Sequence, residues 1–313
     1  MIQRYREMAD DPLRLARFRA AIAAAIRPGD VVVDAGCGLG TYAVFAARGG
    51  AARVYAVDDG PVAEVARQVA AANGVADVVT VLRGRTTALP PPEPADLILY
   101  EDYVAGLLAP PQIETLRDLR ARWLKPGGRV LPGRARLRVA LVESGEQRRA
   151  LDRFADGGER VLGVDLGPAR RYAMVEPQVA ALRPASLLSA PAALTEVDLA
   201  AIGDGLLAGR AELTATRDGT AHGLLLWFEL LFDDGVALGT GPLDPPSAWR
   251  QLLLPFDPPL RVAEGDALAV SVDGAPFGAS MVWRWRADGP RGTAAAHSLD
   301  LVALDAHEKL RPR

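Results

Sequence analysis

In the first part of the chain, short apolar runs alternate with segments whose apolar residues recur at helical spacing. Apolar runs of this length, each ended by a turn, are typical of buried strands in a parallel sheet. The pattern predicts strands at 31–33, 53–57, 78–82, 95–100 and 129–132, and helices at 1–27, 41–47, 61–73 and 111–124. Because strands and helices alternate in order, we expect a largely parallel sheet covered by helices.

From about Arg134 onward, apolar and polar residues alternate with period two, which is typical of antiparallel strands with one buried face. Such runs lie at 135–142, 211–216, 222–230, 249–254, 267–272, 280–285 and 298–302, with Asp-Gly and Gly-Pro turns among them. They predict a β-sandwich or barrel. The predicted fold class is therefore α/β, with a Rossmann-like domain over residues 1–133 followed by an all-β, barrel-like domain over residues 134–313.

An acid and three glycines at alternate positions follow the first predicted strand: Asp34, Gly36, Gly38 and Gly40. Glycines let a ligand approach the backbone, and the start of the next helix offers free N–H groups. A strand that opens into such a loop and then a helix holds nucleotide-like cofactors in α/β folds. The spacing D-x-G-x-G-x-G fits the dinucleotide pattern G-x-G-x-x-G poorly. An ordinary strand–turn–helix corner is the alternative interpretation.

Polar residues also follow the later strands, at the edge where ligands bind an open α/β sheet. Asp58 ends the second strand, about 20 residues after the glycine loop, where a carboxylate can accept both hydroxyls of a ribose. The other candidates are Arg85, Thr86 and Thr87 after the third strand and Glu101, Asp102 and Tyr103 after the fourth. We expect the last three to include the reaction site.

The composition narrows the classes of function. The chain has 313 residues and a net charge of −3, which argues against a protein whose main role is to bind the nucleic-acid backbone. A single cysteine, Cys37, excludes an intramolecular disulfide and a cysteine-built metal site, and three histidines argue against a histidine-rich metal centre. The sequence shows neither a signal-peptide core nor an apolar run that could span a membrane. We therefore expect a cytoplasmic protein without a metal.

The glycine loop resembles motif I of the class I methyltransferases that use S-adenosylmethionine (SAM). The order of motifs along nearly the whole chain resembles the protein arginine methyltransferases, in which a methyltransferase core is followed by a β-barrel. The segments that carry this resemblance are an E-M-x-x-D-x-x-R pattern at 7–14, the loop at 34–40, Asn73-Gly74, the segment at 83–87, the run from Trp123 to Pro132, the segment at 159–165 and the strand containing Trp227-Phe228-Glu229.

This resemblance implies SAM as the cofactor and a role for each matched residue. It implies that Met8 packs on the cofactor, that Arg14 pairs with its carboxylate and that Asp58 binds its ribose. The implied cofactor-binding residues are Met8, Arg14, Asp34, Gly36, Gly38, Gly40, Asp58, Arg85, Thr86 and Thr87. Thr87 stands where the family usually has a glutamate near the adenine.

The loop that would bind the methyl acceptor departs from the family pattern. The family uses two glutamates to hold the guanidinium group of arginine. Glu101 matches the first, whereas Pro110 stands at the position of the second. Asp102 is a candidate replacement for the second acid if the loop turns there, because adjacent residues of an extended chain point to opposite sides. Tyr103 is a candidate for orienting the acceptor through its hydroxyl. A family histidine in the barrel is replaced by Ala248.

The sequence therefore predicts a SAM-dependent N-methyltransferase that acts on a guanidine or amine of a small molecule, an amino acid or a peptide. One alternative is a protein arginine N-methyltransferase with a displaced second acid. Another is a SAM-binding pseudoenzyme that serves as an interaction module. Family members pair through an arm inserted in the barrel, and residues 145–175 contain a short version of it. A homodimer is expected, with a weaker or different dimer as the alternative.

Overall fold

The first part of the molecule is a parallel sheet flanked by helices. The computed structural model describes residues 5–6, 10–152 and 164–299. The sheet has the order β3-β2-β1-β4-β5, and every neighbouring pair is parallel. Its elements are α1 (Pro12–Ala25), β1 (Val31–Ala35), α2 (Thr41–Arg48), β2 (Arg53–Asp58), α3 (Val62–Ala72), β3 (Val79–Arg83), β4 (Ala95–Tyr100), α4 (Pro110–Asp118), a π-helical turn (Leu119–Trp123) and β5 (Leu124–Leu131). The predicted parallel sheet is confirmed.

The strand order creates a crevice at the carboxyl ends of β1 and β4. After β1 the chain adds β2 and β3 on one side, and it then returns to place β4 on the other side of β1. In open α/β sheets this reversal separates the loops that follow the two central strands and leaves room for a ligand. The glycine loop follows β1 and the segment beginning at Glu101 follows β4, so the fold brings these two segments together.

Helix α1 begins at Pro12, inside the helix predicted over residues 1–27. The Asp11 side chain accepts a hydrogen bond from the Arg14 backbone N–H at 2.9 Å, and Pro12 occupies the first helical position. Phe18 and Ile22, one turn apart, are fully buried against the sheet domain. The helix ends at Ala25, two residues before the predicted boundary, and residues 7–9 lie outside the described part of the chain.

The second part consists of two antiparallel sheets. The first has the order β7-β12-β10-β6-β8, with β11 paired to β10, and the second has the order β15-β14-β13-β9. Its elements are β6 (Arg134–Val142), α5 (Gly145–Asp152), α6 (Arg170–Ala173), β7 (Gln178–Ala180), β8 (Ala192–Asp198), β9 (Leu207–Thr214), β10 (Gly219–Leu231), β11 (Ala237–Gly239), β12 (Gln251–Val262), β13 (Ala267–Phe277), β14 (Ser280–Gly289) and β15 (Gly292–His297). Strand β8 lies beside β9 and β12 lies beside β15, which gives the barrel-like arrangement.

Strand β10 of this domain departs from the predicted alternation of buried and exposed residues. In β10 every residue from Ala221 to Leu230 except His222 and Glu229 is buried. Alternate side chains enter the main core, while Leu225 and Trp227 pack with Leu253 of β12 in a second apolar cluster on the opposite face. Period two fails here because both faces are covered. Of the strand predicted at 298–302, residues 300–302 lie outside the described ranges, and residues 298 and 299 follow the end of β15 at His297.

Helix α1 also contacts the β-rich domain and so helps to hold it beside the crevice. The Arg17 guanidinium donates to Asp234 and stacks over the Phe232 ring at 4.2 Å. The Arg14 guanidinium lies 5.4 Å from the centroid of the Trp249 ring. Within the described residues, no helix has the length and apolar character needed to cross a membrane.

Candidate active site

A cleft of about 390 Å³ opens at the carboxyl edge of the parallel sheet. It collects predicted residues from four loops, namely Gly36, Asp58, Arg85, Thr86, Glu101 and Asp102, together with Tyr5, Pro111 and Thr115. A side pocket of about 70 Å³ continues it along the glycine loop toward α1. Tyr5, Gly36 and Glu101 line both cavities, so the two form one site.

The glycine loop needs glycine for both conformation and space. Gly36, Gly38 and Gly40 have φ values of 78°, 51° and 77°, in the left-handed region that side chains disfavour. A Cβ atom at Gly38 would lie 2.9 Å from the Tyr5 ring, and one at Gly40 would lie 3.2 Å from the Ala66 Cβ of α3. The loop can therefore approach its neighbours closely, as a cofactor cradle requires.

Asp34 supports the loop from beneath. Its side chain is buried, and Oδ2 accepts a hydrogen bond at 2.9 Å from the backbone N–H of Ala43 in the first turn of α2. Burial raises the pKa of Asp34 to about 7, against the lowering effect of that hydrogen bond. Asp34 is not among the residues that line the cleft. It therefore fixes the path from β1 to α2 and does not face the ligand space.

Asp58 joins the glycine loop to the end of β2. One carboxylate oxygen accepts from the Gly38 N–H at 3.0 Å and the other accepts from the Gly60 N–H at 2.8 Å. Asp58 lines the cleft, and each oxygen retains acceptor capacity. Such a carboxylate is suited to paired hydroxyl groups on a ligand.

The segment after β3 forms a wall of the same cleft. Arg85 and Thr86 line it. The Thr86 backbone carbonyl is held from behind, since it accepts a hydrogen bond from the Trp123 indole N–H at 3.3 Å. Thr87 is half-buried and is not among the lining residues. Met8, the remaining predicted cofactor residue, lies outside the described part of the chain.

A buried ion pair connects α1 to the end of β4. The Arg14 Nη1 atom donates to Glu101 Oε1 at 2.7 Å, and the two side chains are only 3% and 10% exposed. Burial raises the pKa of Glu101 to about 8; the positive charge of Arg14 opposes this, while Asp102 and Asp34 add to it. Glu101 is thus a desolvated carboxyl group at the junction of the two cavities.

Asp102 also faces the cleft, as the prediction requires. A turn here lets both acids face the ligand space, with the Tyr103 N–H donating to the Glu101 carbonyl at 3.1 Å. The Asp102 Oδ2 atom accepts from the Gln112 side-chain amide at 3.2 Å. The Gln112 amide oxygen is buried and has no hydrogen-bond partner among the described residues. Sequence reasoning missed Gln112, although its position in the first turn of α4, two residues after Pro110, was a usable signal.

Tyr103 does not join the two acids. Its ring is buried against Phe228 and Trp249, and its hydroxyl donates to the Tyr100 carbonyl at 3.2 Å. It is not among the lining residues of the cleft. The geometry gives it a packing role between the two domains and no route to an acceptor. Pro110, where the sequence resemblance predicts the second glutamate to be replaced, begins α4 and supplies no side-chain acceptor.

The donor set suits an organic cofactor with a nucleoside part and a charged end. Carboxylates, glycine backbone and a buried guanidinium meet along one continuous space. Within the described ranges, no group of three or more histidine, cysteine, aspartate or glutamate side chains is placed to hold a metal ion.

Family models match both parts of the chain. Residues 32–128 match the model described as a methyltransferase domain, and residues 133–280 match the arginine methyltransferase oligomerization subdomain. The second match begins one residue before β6.

Curated proteins and solved structures with similar chains are also named as arginine methyltransferases. A Streptomyces achromogenes protein named Arginine N(omega)-methyltransferase is 35% identical, covering 86% of this chain and 75% of its own. Protein arginine N-methyltransferase 1 of Dictyostelium discoideum is 28% identical, with 87% and 82% covered. The Trypanosoma brucei PRMT1 enzyme–prozyme heterotetrameric complex with AdoHcy has a chain that superposes with a TM-score of 0.84 at 25% identity, with 94% and 96% covered.

Proposed function

Because this chain belongs to the arginine methyltransferase family and is a SAM-dependent methyltransferase, we propose that it methylates a guanidine nitrogen of arginine. The observation that carries the proposal is the buried Glu101 carboxyl, held by Arg14 where the main cleft meets the side pocket. A cation such as guanidinium is the ligand that a desolvated carboxylate binds most favourably. When bound, SAM supplies the activated methyl group.

In this account Glu101 binds and orients the guanidinium. The ionised carboxylate accepts hydrogen bonds from two guanidinium N–H groups and draws the positive charge toward them, so the remaining nitrogen is the better nucleophile. The methylated nitrogen then loses a proton. A carboxyl group with a pKa of about 8 can accept that proton at Oε and pass it to solvent.

Asp102 serves as the second acid in this proposal. It replaces the family glutamate whose position Pro110 occupies. Its support is its place on the cleft wall and the hydrogen bond from Gln112, which limits the rotation of its carboxylate. Gln112 lines neither cavity, so its part is to hold Asp102 and not to contact the acceptor.

The cofactor residues are assigned by the chemistry of each group. Asp58 binds the ribose hydroxyls, and Arg85 and Thr86 border the adenine. Gly36 and Gly38 allow close approach of the cofactor, and Arg14 binds its carboxylate while retaining Glu101. Asp34 acts through the loop that it supports.

The acceptor is arginine in a protein or peptide in our first assignment, since several relatives are named protein arginine N-methyltransferases. Free arginine is the second candidate, because the Streptomyces relative is named for arginine alone. Both should be offered together with SAM carrying a labelled methyl group. Preferential labelling of an arginine-containing peptide supports the first, and preferential labelling of the free amino acid supports the second. SAM binding without transfer to either acceptor would favour the pseudoenzyme alternative.

Oligomer formation is part of the proposal. Its support is the match of residues 133–280 to the oligomerization subdomain. Of the proposed arm at 145–175, residues 153–163 lie outside the described part, and the remainder includes α5 and α6. We expect a homodimer, which sedimentation at several protein concentrations tests directly.

A further inference from the structure

The side pocket contains a polar atom for which the account above has no role. Tyr42, the second residue of α2, lines this pocket together with Arg14, Thr41, Gly38 and Glu101. The Tyr42 side chain is more than nine-tenths buried. Its hydroxyl has no hydrogen-bond partner among the described residues.

Such a hydroxyl is costly unless a ligand binds it. A buried polar group without a partner loses its hydration and regains nothing, so native proteins keep few of them. The Tyr42 ring cannot turn away easily, because it stacks on Phe18 at 4.8 Å and 14° and also contacts Phe45. The hydroxyl is therefore fixed in position on a residue that lines the pocket. A phenylalanine would give the same packing without this cost.

The surroundings of the hydroxyl identify the kind of ligand group. Arg14 brings a buried positive charge to the pocket, and Glu101 brings a carboxyl group. Burial, followed by the charge of Glu101, raises the pKa of Tyr42, so the hydroxyl keeps its proton and can donate it in a hydrogen bond. A cation beside a neutral hydrogen-bond donor complements a carboxylate, such as the one at the end of an amino-acid group.

We infer that the Tyr42 hydroxyl donates a hydrogen bond to the carboxylate at the methionine end of SAM, beside Arg14. This inference rests on the proposed function, which assigns that carboxylate to Arg14. Tyr42 is thus a cofactor-positioning residue that the glycine motif does not include. It lies in the first turn of α2, two residues after Gly40, and it lines the pocket.

Two ligands that differ only at this end provide the test. S-adenosylhomocysteine keeps the amino-acid group, whereas methylthioadenosine lacks it. Isothermal calorimetry should show that Tyr42→Phe raises the Kd of S-adenosylhomocysteine about tenfold. The Kd of methylthioadenosine should stay the same. The matched control is Tyr55→Phe, which also removes one phenolic hydroxyl, but from a residue that bonds Glu93 away from the cleft. It should change neither affinity.

The outcomes distinguish a failure of this inference from a failure of the proposed function. Equal weakening of both ligands by Tyr42→Phe would mean a structural effect and would overturn the inference, as would no change in either. In both cases the proposed function would stand if the wild-type protein binds S-adenosylhomocysteine, whereas wild-type protein that does not bind it would count against the proposed function. A structure of the complex gives a second measurement should the variant not fold. The inference requires the Tyr42 oxygen about 2.5–3.0 Å from a ligand carboxylate oxygen, and a separation beyond hydrogen-bond reach would overturn it.

Discussion

Replacing Glu101 with glutamine should remove a pH dependence as well as lower the rate. Glutamine keeps the shape of the side chain and an oxygen that can accept from Arg14, so the fold and the cofactor site should be retained. What it loses is the negative charge beside the guanidinium and the ability to take up a proton. Loss of one preorganised charge-stabilising group lowers kcat by about 100- to 1,000-fold in well-studied enzymes, and we expect a loss in this range.

The position of the pH dependence follows from burial. Because burial raises the pKa of Glu101 to about 8, the carboxyl is protonated at the acidic end of the range and becomes ionised as pH rises through that value. When SAM and arginine are both far below saturation, the rate reports this free-enzyme group and should rise about tenfold per pH unit below pH 8. When arginine saturates the enzyme, the bound guanidinium stabilises the ionised form of Glu101 and lowers its pKa. The pH range over which the rate rises should therefore move to lower pH.

The assay compares initial rates of methyl transfer by wild-type and Glu101→Gln protein across about pH 6 to pH 9. The ratio of the two rates cancels any titration that they share, including that of the reactants. The wild-type rate divided by the variant rate should rise with pH and level off above pH 8. A ratio independent of pH, or a variant as active as wild type, would refute the role assigned to Glu101. Calorimetry with SAM should give similar Kd values for both proteins.

Three further changes test the surrounding structure. Arg14→Ala should raise the Kd of SAM about tenfold or more, because a charge-assisted bond to the carboxylate is worth about 1.5–3 kcal/mol; an unchanged Kd would contradict the assignment. Gly40→Ala should lower the free energy of unfolding, measured in urea, by about 1–2 kcal/mol. The reasons are that φ at Gly40 is 77° and that the new Cβ would lie 3.2 Å from Ala66. Equal stability of the variant and wild type would argue against strain at this position. The folded state binds the Asp34 proton more tightly than the unfolded state, with a pKa of about 7 against 3.8, so wild-type stability should fall as pH rises between these values. Asp34→Asn should lack this loss, which amounts to at most about 4 kcal/mol, and parallel stability curves for the two proteins would count against it.

The fold followed from periodicity because the two halves bury their strands differently. The strands of the parallel sheet are covered on both faces and read as apolar runs, whereas most strands of the second half expose one face. Strand β10 is the exception, since Leu225 and Trp227 meet a second cluster that only tertiary contacts create. No local pattern distinguishes a strand covered by a distant segment from a strand at the centre of a parallel sheet.

The sequence predicted the site residues that lie on a single loop. It did not predict the contacts between residues of distant segments. The glycine loop and Glu101 stand at strand ends, so sequence order alone located them. The pairing of Arg14 with Glu101 joins residues 87 apart in the chain. The packing of Tyr103 against Phe228 depends in the same way on how the domains dock. Tyr42 escaped notice because a tyrosine in an apolar helix predicts only core packing until its hydroxyl is seen to have no partner.

Identification of the methylated atom tests the central claim most directly. The protein is incubated with SAM carrying an isotopically labelled methyl group and with an arginine acceptor, and fragmentation mass spectrometry locates the label. The account predicts a labelled methyl group on a terminal guanidine nitrogen of arginine, in an amount that Glu101→Gln sharply reduces. A label on any other atom, or no label from protein that binds SAM, would contradict it.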